Sequence, residues 1–134
     1  MSDMSEIFGQ PIRIYTRAQA IEDGVLIDVS EMAREAGIKY PVALTCAAWS
    51  RCVEVPEGCE GLQDEQGRLW DVLWMLRCAM NGARGNEILY KLHVVRSLAD
   101  LKRERPAPLV TLKAVCGPGD NAEPVITIML PGED

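Results

Sequence analysis

A chain of 134 residues that is 48% apolar and 25% charged, with a formal charge of −6, has the make-up of an ordinary globular domain able to bury its own core. No apolar run reaches the roughly 18 residues a membrane span needs, and the negative mean field argues against a protein that holds DNA or an anionic membrane by charge. The opening residues, Met1 to Glu6, are polar and acidic, without the basic start and apolar centre of a secretion signal, so a cytoplasmic protein is expected.

Residues 1–11 are expected to be a flexible tail and residues 12–134 a single α+β domain. Ile12 to Tyr15 alternates as a short strand would. Thr16 then reads as a helix N-cap, with Gln19 three residues on completing a capping box, and Asp23-Gly24 stops that helix. Gly24 to Asp28 reads as an extended link. Ser30 opens a second helix that runs to Ala36, with Gly37 in the residue position just past its end and Glu31 and Glu35 on a solvated face. Pro41 suits the first turn of a third helix. Val42, Leu44, Cys46, Ala48, Trp49, Cys52 and Val53 fill it with apolar residues, and Val55-Pro56 ends it.

After a loop at Glu57 to Gly61 and a turn signal at Asp64 to Gly67, Arg68 to Met80 carries the clearest helical pattern in the chain. Leu69, Val72, Leu73, Leu76 and Met80 share one face, and Trp70 and Trp74 stack one turn apart. Asn81-Gly82 stops it. Glu87 to Val95 alternates as a strand, with Ile88, Tyr90, Leu92 and Val94 on one face and Lys91 and His93 on the other. Ser97 with Asp100 repeats a capping pattern for a short helix over 98–104, which Pro106 to Pro108 terminates. Two further strands, Leu109 to Cys116 and Pro124 to Leu130, form a hairpin. Their even-numbered residues, Val110, Leu112, Ala114, Cys116, Ile126, Ile128 and Leu130, define a face that must be covered.

These elements predict N-terminal helices packed on one face of a small, mainly antiparallel three- to four-stranded sheet. The tryptophan-rich helix is the expected lid, and all three tryptophans are expected to be buried.

Chemistry is sparse. Cys46, Cys52, Cys59, Cys78 and Cys116 are odd in number and contain no C-x-x-C pair. With one histidine in the chain they do not make a zinc pattern, and they read as buried or half-buried free thiols, a Cys52–Cys59 disulfide being the minor alternative. His93 has no nucleophile or orienting carboxylate beside it in sequence. Cys116 precedes a Gly-Pro-Gly turn, but its parity places it on the core face. The Gly117-Pro118-Gly119-Asp120 loop lacks the Lys-Ser/Thr and the helix start of a phosphate cradle. Asp120, Glu123, Glu133 and Asp134 are too widely spaced for a calcium loop. Asp64, Glu65 and Asp71 flank the start of the long helix, where carboxylates complement its dipole, with a catalytic pair as the alternative. No catalytic residue, metal or cofactor is therefore assigned. The odd face of the sheet is half polar and half apolar, and Lys91, His93, Thr111, Lys113 and Thr127 are its candidate partner-binding residues.

Three strings, Tyr15 to Ser30, Gln63 to Met75 and Val110 to Pro131, resemble an uncharacterised family of small proteins encoded on bacterial plasmids and prophages. The resemblance spans residues 15–131 and carries no activity with it. It implies a mobile-element accessory protein, and by analogy one that binds and blocks a host defence or regulatory protein. A protein partner is thus expected and direct nucleic-acid binding is not. The alternatives are a small hydrolase-like enzyme using His93 and nearby carboxylates, and a self-associating structural module, with a homodimer left open.

Overall fold

The computed structural model of the protein describes residues 15–133. The expected tail at 1–11 and most of the expected strand at Ile12 to Tyr15 lie outside the described residues. The described elements are α1 (Arg17–Glu22), β1 (Leu26–Asp28), α2 (Ser30–Glu35), β2 (Val42–Thr45), α3 (Cys46–Cys52), α4 (Glu65–Met80), β3 (Glu87–His93), α5 (Leu98–Leu101), β4 (Leu109–Pro118) and β5 (Pro124–Met129).

They build an α+β fold around one sheet in the order β1-β2-β5-β4-β3. The sheet therefore has five strands among the described residues rather than three or four. It is also mixed, because β2 runs parallel to β5 while the other pairs are antiparallel. The extra strands come from two stretches that read otherwise. The link at Gly24 to Asp28 contains β1. The expected third helix is β2 followed by the short α3, whose N-cap Thr45 accepts a hydrogen bond from the Ala48 amide. The cause is burial on both faces: Val42, Ala43 and Leu44 are fully buried, so the strand has no polar alternation to show.

The even face of the hairpin is core, as expected. Val110, Leu112, Ala114, Ile126 and Ile128 are buried together with Val42, Leu44, Tyr90 and Leu92, and Leu69, Val72, Leu73 and Leu76 of α4 cover them. The lid starts earlier than its apolar pattern, because Asp64 is the N-cap and accepts from the Gly67 amide at 2.8 Å. Its tryptophans do not join the core. Trp70 and Trp74 stack on each other, ring centres 6.0 Å apart, and remain 36% and 47% exposed. Trp49 is half-buried at the edge of the core.

The helices are not confined to one face. α1 keeps its capping box, Thr16 with Gln19, and its Arg17 crosses to the odd face of β5, donating to Thr127 Oγ1 at 2.7 Å and to the Ile126 carbonyl at 2.8 Å. The amides of Arg17 and Ala18 donate to the Asp120 carboxylate at 2.8 and 3.0 Å. The glycine-rich loop thus serves as a clasp that holds α1. A Cβ at Gly119 would meet the end of the Glu123 side chain at 2.6 Å, and that exposed carboxylate would have to swing aside.

The cysteines are free, with Cys52 and Cys59 buried, Cys116 half-buried, and Cys46 and Cys78 exposed, against the expectation that all would be at least partly covered. Burial pushes the Cys52 thiol up.

Candidate functional site

Among the described residues β3 is an edge strand, bonded to β4 alone. Its register settles where its backbone groups point. Cys116 donates to the Asn86 carbonyl and Val94 to the Pro108 carbonyl, so the even residues of β3 form the hydrogen-bonded pairs with β4. Antiparallel pairs alternate. The N–H and C=O groups of Glu87, Leu89, Lys91 and His93 therefore point away from the sheet, in a row that a further strand would satisfy.

Apolar surface flanks this edge. Leu89 and Leu109, on the odd face, are 61% and 55% exposed. From α4, Trp74 and Met75 reach the same rim. Trp74, Met75, Lys91, Leu92, His93, Leu109 and Asp71 line one open depression of about 380 Å³. Burial raises the carboxyl pKa of Asp71, opposed by the nearby Arg68 guanidinium. His93 places Nδ1 2.9 Å from the Ala107 carbonyl. A carbonyl only accepts, so Nδ1 carries the proton in the neutral ring, and Nε2 keeps its lone pair.

Beyond His93 the surface carries charge of both signs. A wider cleft of about 760 Å³ is lined by His93, Asp100, Arg103, Glu104 and Arg105, among others. Asp100 is buried. It accepts from Arg105 Nε at 2.8 Å and from the Arg96 amide at 3.0 Å, and these bonds hold its carboxyl below the usual carboxylate range, the Arg105 bond first. Arg105 also donates from Nη2 to Ser97 Oγ at 2.9 Å, so its half-exposed guanidinium is fixed in place.

The five residues singled out on the odd face divide in two. Lys91 and His93 are exposed on the β3 edge, and Thr111, paired with Lys91, lies half-buried behind them. Lys113 and Thr127 are committed inside the molecule: Lys113 Nζ donates to the Glu133 carbonyl at 2.7 Å and Thr127 accepts from Arg17. Sequence reasoning missed Trp74 and Met75 as surface residues, and missed Arg103 and Arg105. The signal for the arginines was the run Lys102-Arg103-Glu104-Arg105 in an acidic chain. Asp71 and His93, far apart in sequence, share the smaller depression.

No helix among the described residues is long and apolar enough to cross a membrane. No curated protein and no solved structure matches the chain. The family model described as "Family of unknown function (DUF6573)" matches residues 4–134, and the chain belongs to that family.

Proposed function

We propose that this protein is a non-enzymatic binding module that takes a partner protein by strand addition along β3. Its context would be that of a plasmid- or prophage-borne accessory protein occupying a host defence or regulatory protein. The observation that supports binding is the β3 edge: outward backbone donors and acceptors with exposed Leu89, Leu109, Trp74 and Met75 beside them. Strand addition gains affinity from main-chain hydrogen bonds and specificity from flanking side-chain contacts, and exposed aromatics are favoured as anchors. The mobile-element context rests on the resemblance of the three strings alone.

The test uses the outward-facing geometry. Lys91→Pro removes an amide hydrogen that β4 does not use, and proline is tolerated on the free side of an edge strand. Tagged wild-type protein, Lys91→Pro and Trp74→Ala are used to capture partners from host lysate, with melting curves for each. The reading predicts a specific partner that both variants lose while their folds persist. A partner held equally well by both variants would send the reading elsewhere, and sedimentation of the wild type alone separates partner binding from pairing with a second copy.

One observation favours a second reading, a hydrolase-like enzyme. Asp71, with its raised carboxyl pKa, and His93, with a free Nε2, share one depression, which suits a water-activating pair. Turnover of a panel of esters and phosphoesters, lost in both Asp71→Asn and His93→Ala, would carry it; no turnover above background removes it.

A further inference from the structure

The β3 edge runs into the most basic part of the molecule. Residues 91–105 carry Lys91, Arg96, Lys102, Arg103 and Arg105 against Asp100 and Glu104, a net +3 in a chain of −6. In the cleft itself Asp100 is engaged by Arg105 and the Arg96 amide and Arg103 stands beside Glu104, so the positive excess of the segment comes from Lys91, Arg96 and Lys102.

Arg103 supplies an independent sign. Its φ is +61°, in the left-handed region where glycine is favoured. It sits just past α5, where its amide donates to the Asp100 carbonyl and that of Glu104 donates to the Ala99 carbonyl, the paired bonds of a Schellman motif. The same pattern ends α1 and α2: Gly24 donates to Ile21 and Val25 to Ala20, Gly37 to Arg34 and Ile38 to Ala33. Both of those helices place glycine at the left-handed position. α5 places an arginine there instead, against the backbone preference, with its side chain lining the wider cleft. Strained backbone of this sort clusters at ligand-binding positions.

We infer that the partner segment taken by β3 is acidic: an extended polypeptide whose apolar side chains rest on Trp74, Met75 and Leu109 while its carboxylates meet Lys91, Lys102, Arg103 and Arg105. The inference rests on the strand-addition reading above. A nucleic acid is the other polyanion that a net-positive segment suits, but it offers no main-chain partner for the edge strand, and phosphates running beyond that segment would meet the acidic remainder of the chain.

The probe is a fluorescein-labelled peptide of about ten alternating valines and glutamates, a length an edge strand accommodates. It is compared with the same peptide carrying lysines for glutamates and with a single-stranded thymidine oligonucleotide, by anisotropy at low salt where charge is least screened. The acidic peptide is expected to bind at least about tenfold more tightly than the basic one, a difference of about 1.4 kcal/mol. The triple variant Lys91→Glu, Lys102→Glu, Arg103→Glu is expected to invert that preference. Arg103→Gly is expected to weaken acidic-peptide binding several-fold while raising the melting temperature, which a merely structural arginine would not do, and it guards against misfolding of the triple variant. Equal binding of both peptides, abolished by Lys91→Pro, keeps strand addition and overturns the acidic partner. Acidic-peptide binding that survives Lys91→Pro but not charge reversal overturns strand addition and keeps the acidic class. Tighter binding of the oligonucleotide, or no peptide binding up to about 1 mM, a contact worth under roughly 4 kcal/mol, overturns the inference.

Discussion

Burying a guanidinium is unfavourable unless its donors are engaged, and Arg68 engages them across three parts of the chain. At 8% exposure it donates from Nε to the Val53 carbonyl at 3.1 Å, and from Nη1 to Gln63 Oε1 at 2.7 Å and the Val95 carbonyl at 2.9 Å. It therefore joins α4 to the loop after α3 and to the chain leaving β3. Arg68→Met keeps the apolar stem but strands those acceptors, and is expected to cost about 3 kcal/mol. Arg68→Lys should recover little, since a single ammonium cannot span acceptors laid out for a planar fork. Urea denaturation checks both: the midpoint should fall with an unchanged slope, and a loss under about 1 kcal/mol in Arg68→Met would mean that water replaces the guanidinium. This position was half legible. Arg68, Val72 and Leu76 recur at intervals of four, which puts the arginine on the buried stripe, but a charged residue just after the Asp64 to Gly67 turn signal reads as exposed. Lys91 and His93 were legible as exposed from strand alternation alone. The engagement of Lys113 and Thr127 was not, because their partners, Glu133 and Arg17, lie 20 and 110 residues away in sequence.

At the scale of elements, α4 shows how a helical pattern can be right about the face and wrong about its largest members. Leu69, Val72, Leu73 and Leu76 lie on the sheet as their spacing requires. Trp70 and Trp74 each follow a buried leucine by one residue, about 100° further round the helix, where the sheet no longer covers them. A third to a half of each side chain thus stays wet, which cuts what it adds to folding. Two adjacent truncations separate these roles. Leu73→Ala leaves a cavity under the lid and is expected to cost about 3 kcal/mol. Trp74→Ala should cost only about 1 kcal/mol, chiefly the lost stack on Trp70, despite removing the larger side chain. Equal losses in chemical denaturation would mean that Trp74 is core after all, and would withdraw the apolar flank from the β3 edge. β2 is the opposite case. Its four residues carry no period to read, and its pairings with β1 and with β5, the latter about eighty positions away in sequence, make it a strand. The meander of β3, β4 and β5 was legible because each strand meets its neighbour in sequence order and sets its even-numbered apolar residues on one face.

The whole molecule has two working ends on one sheet. At the β1–β2–β5 end, α1 and the C-terminal residues are tied down by polar clasps: Asp120 on the amides of Arg17 and Ala18, Arg17 on β5, and Glu133 accepting from Thr45 Oγ1 at 2.7 Å and the Leu130 amide at 2.8 Å. At the β3 end the edge is open and the clasps are replaced by exposed apolar and basic side chains. Stability and recognition should therefore be separable by mutation. Asp120→Ala removes the acceptor for two helix-start amides, a loss comparable to that of an N-cap, and is expected to cost about 1–2 kcal/mol while leaving partner binding at β3 unchanged. Lys91→Pro should do the reverse, with a stability change under about 1 kcal/mol, because the amide it removes has no role in the β3–β4 ladder. Sites far apart with no shared partners add within about 0.5 kcal/mol, so the double variant should show the sum of the two stability losses and the binding loss of Lys91→Pro alone. Denaturation and peptide anisotropy on the four proteins close the cycle. A coupling well above that limit would mean that the β5–β4–β3 meander carries strain from one end of the sheet to the other, so that the α1 clasp and the β3 edge act as one device.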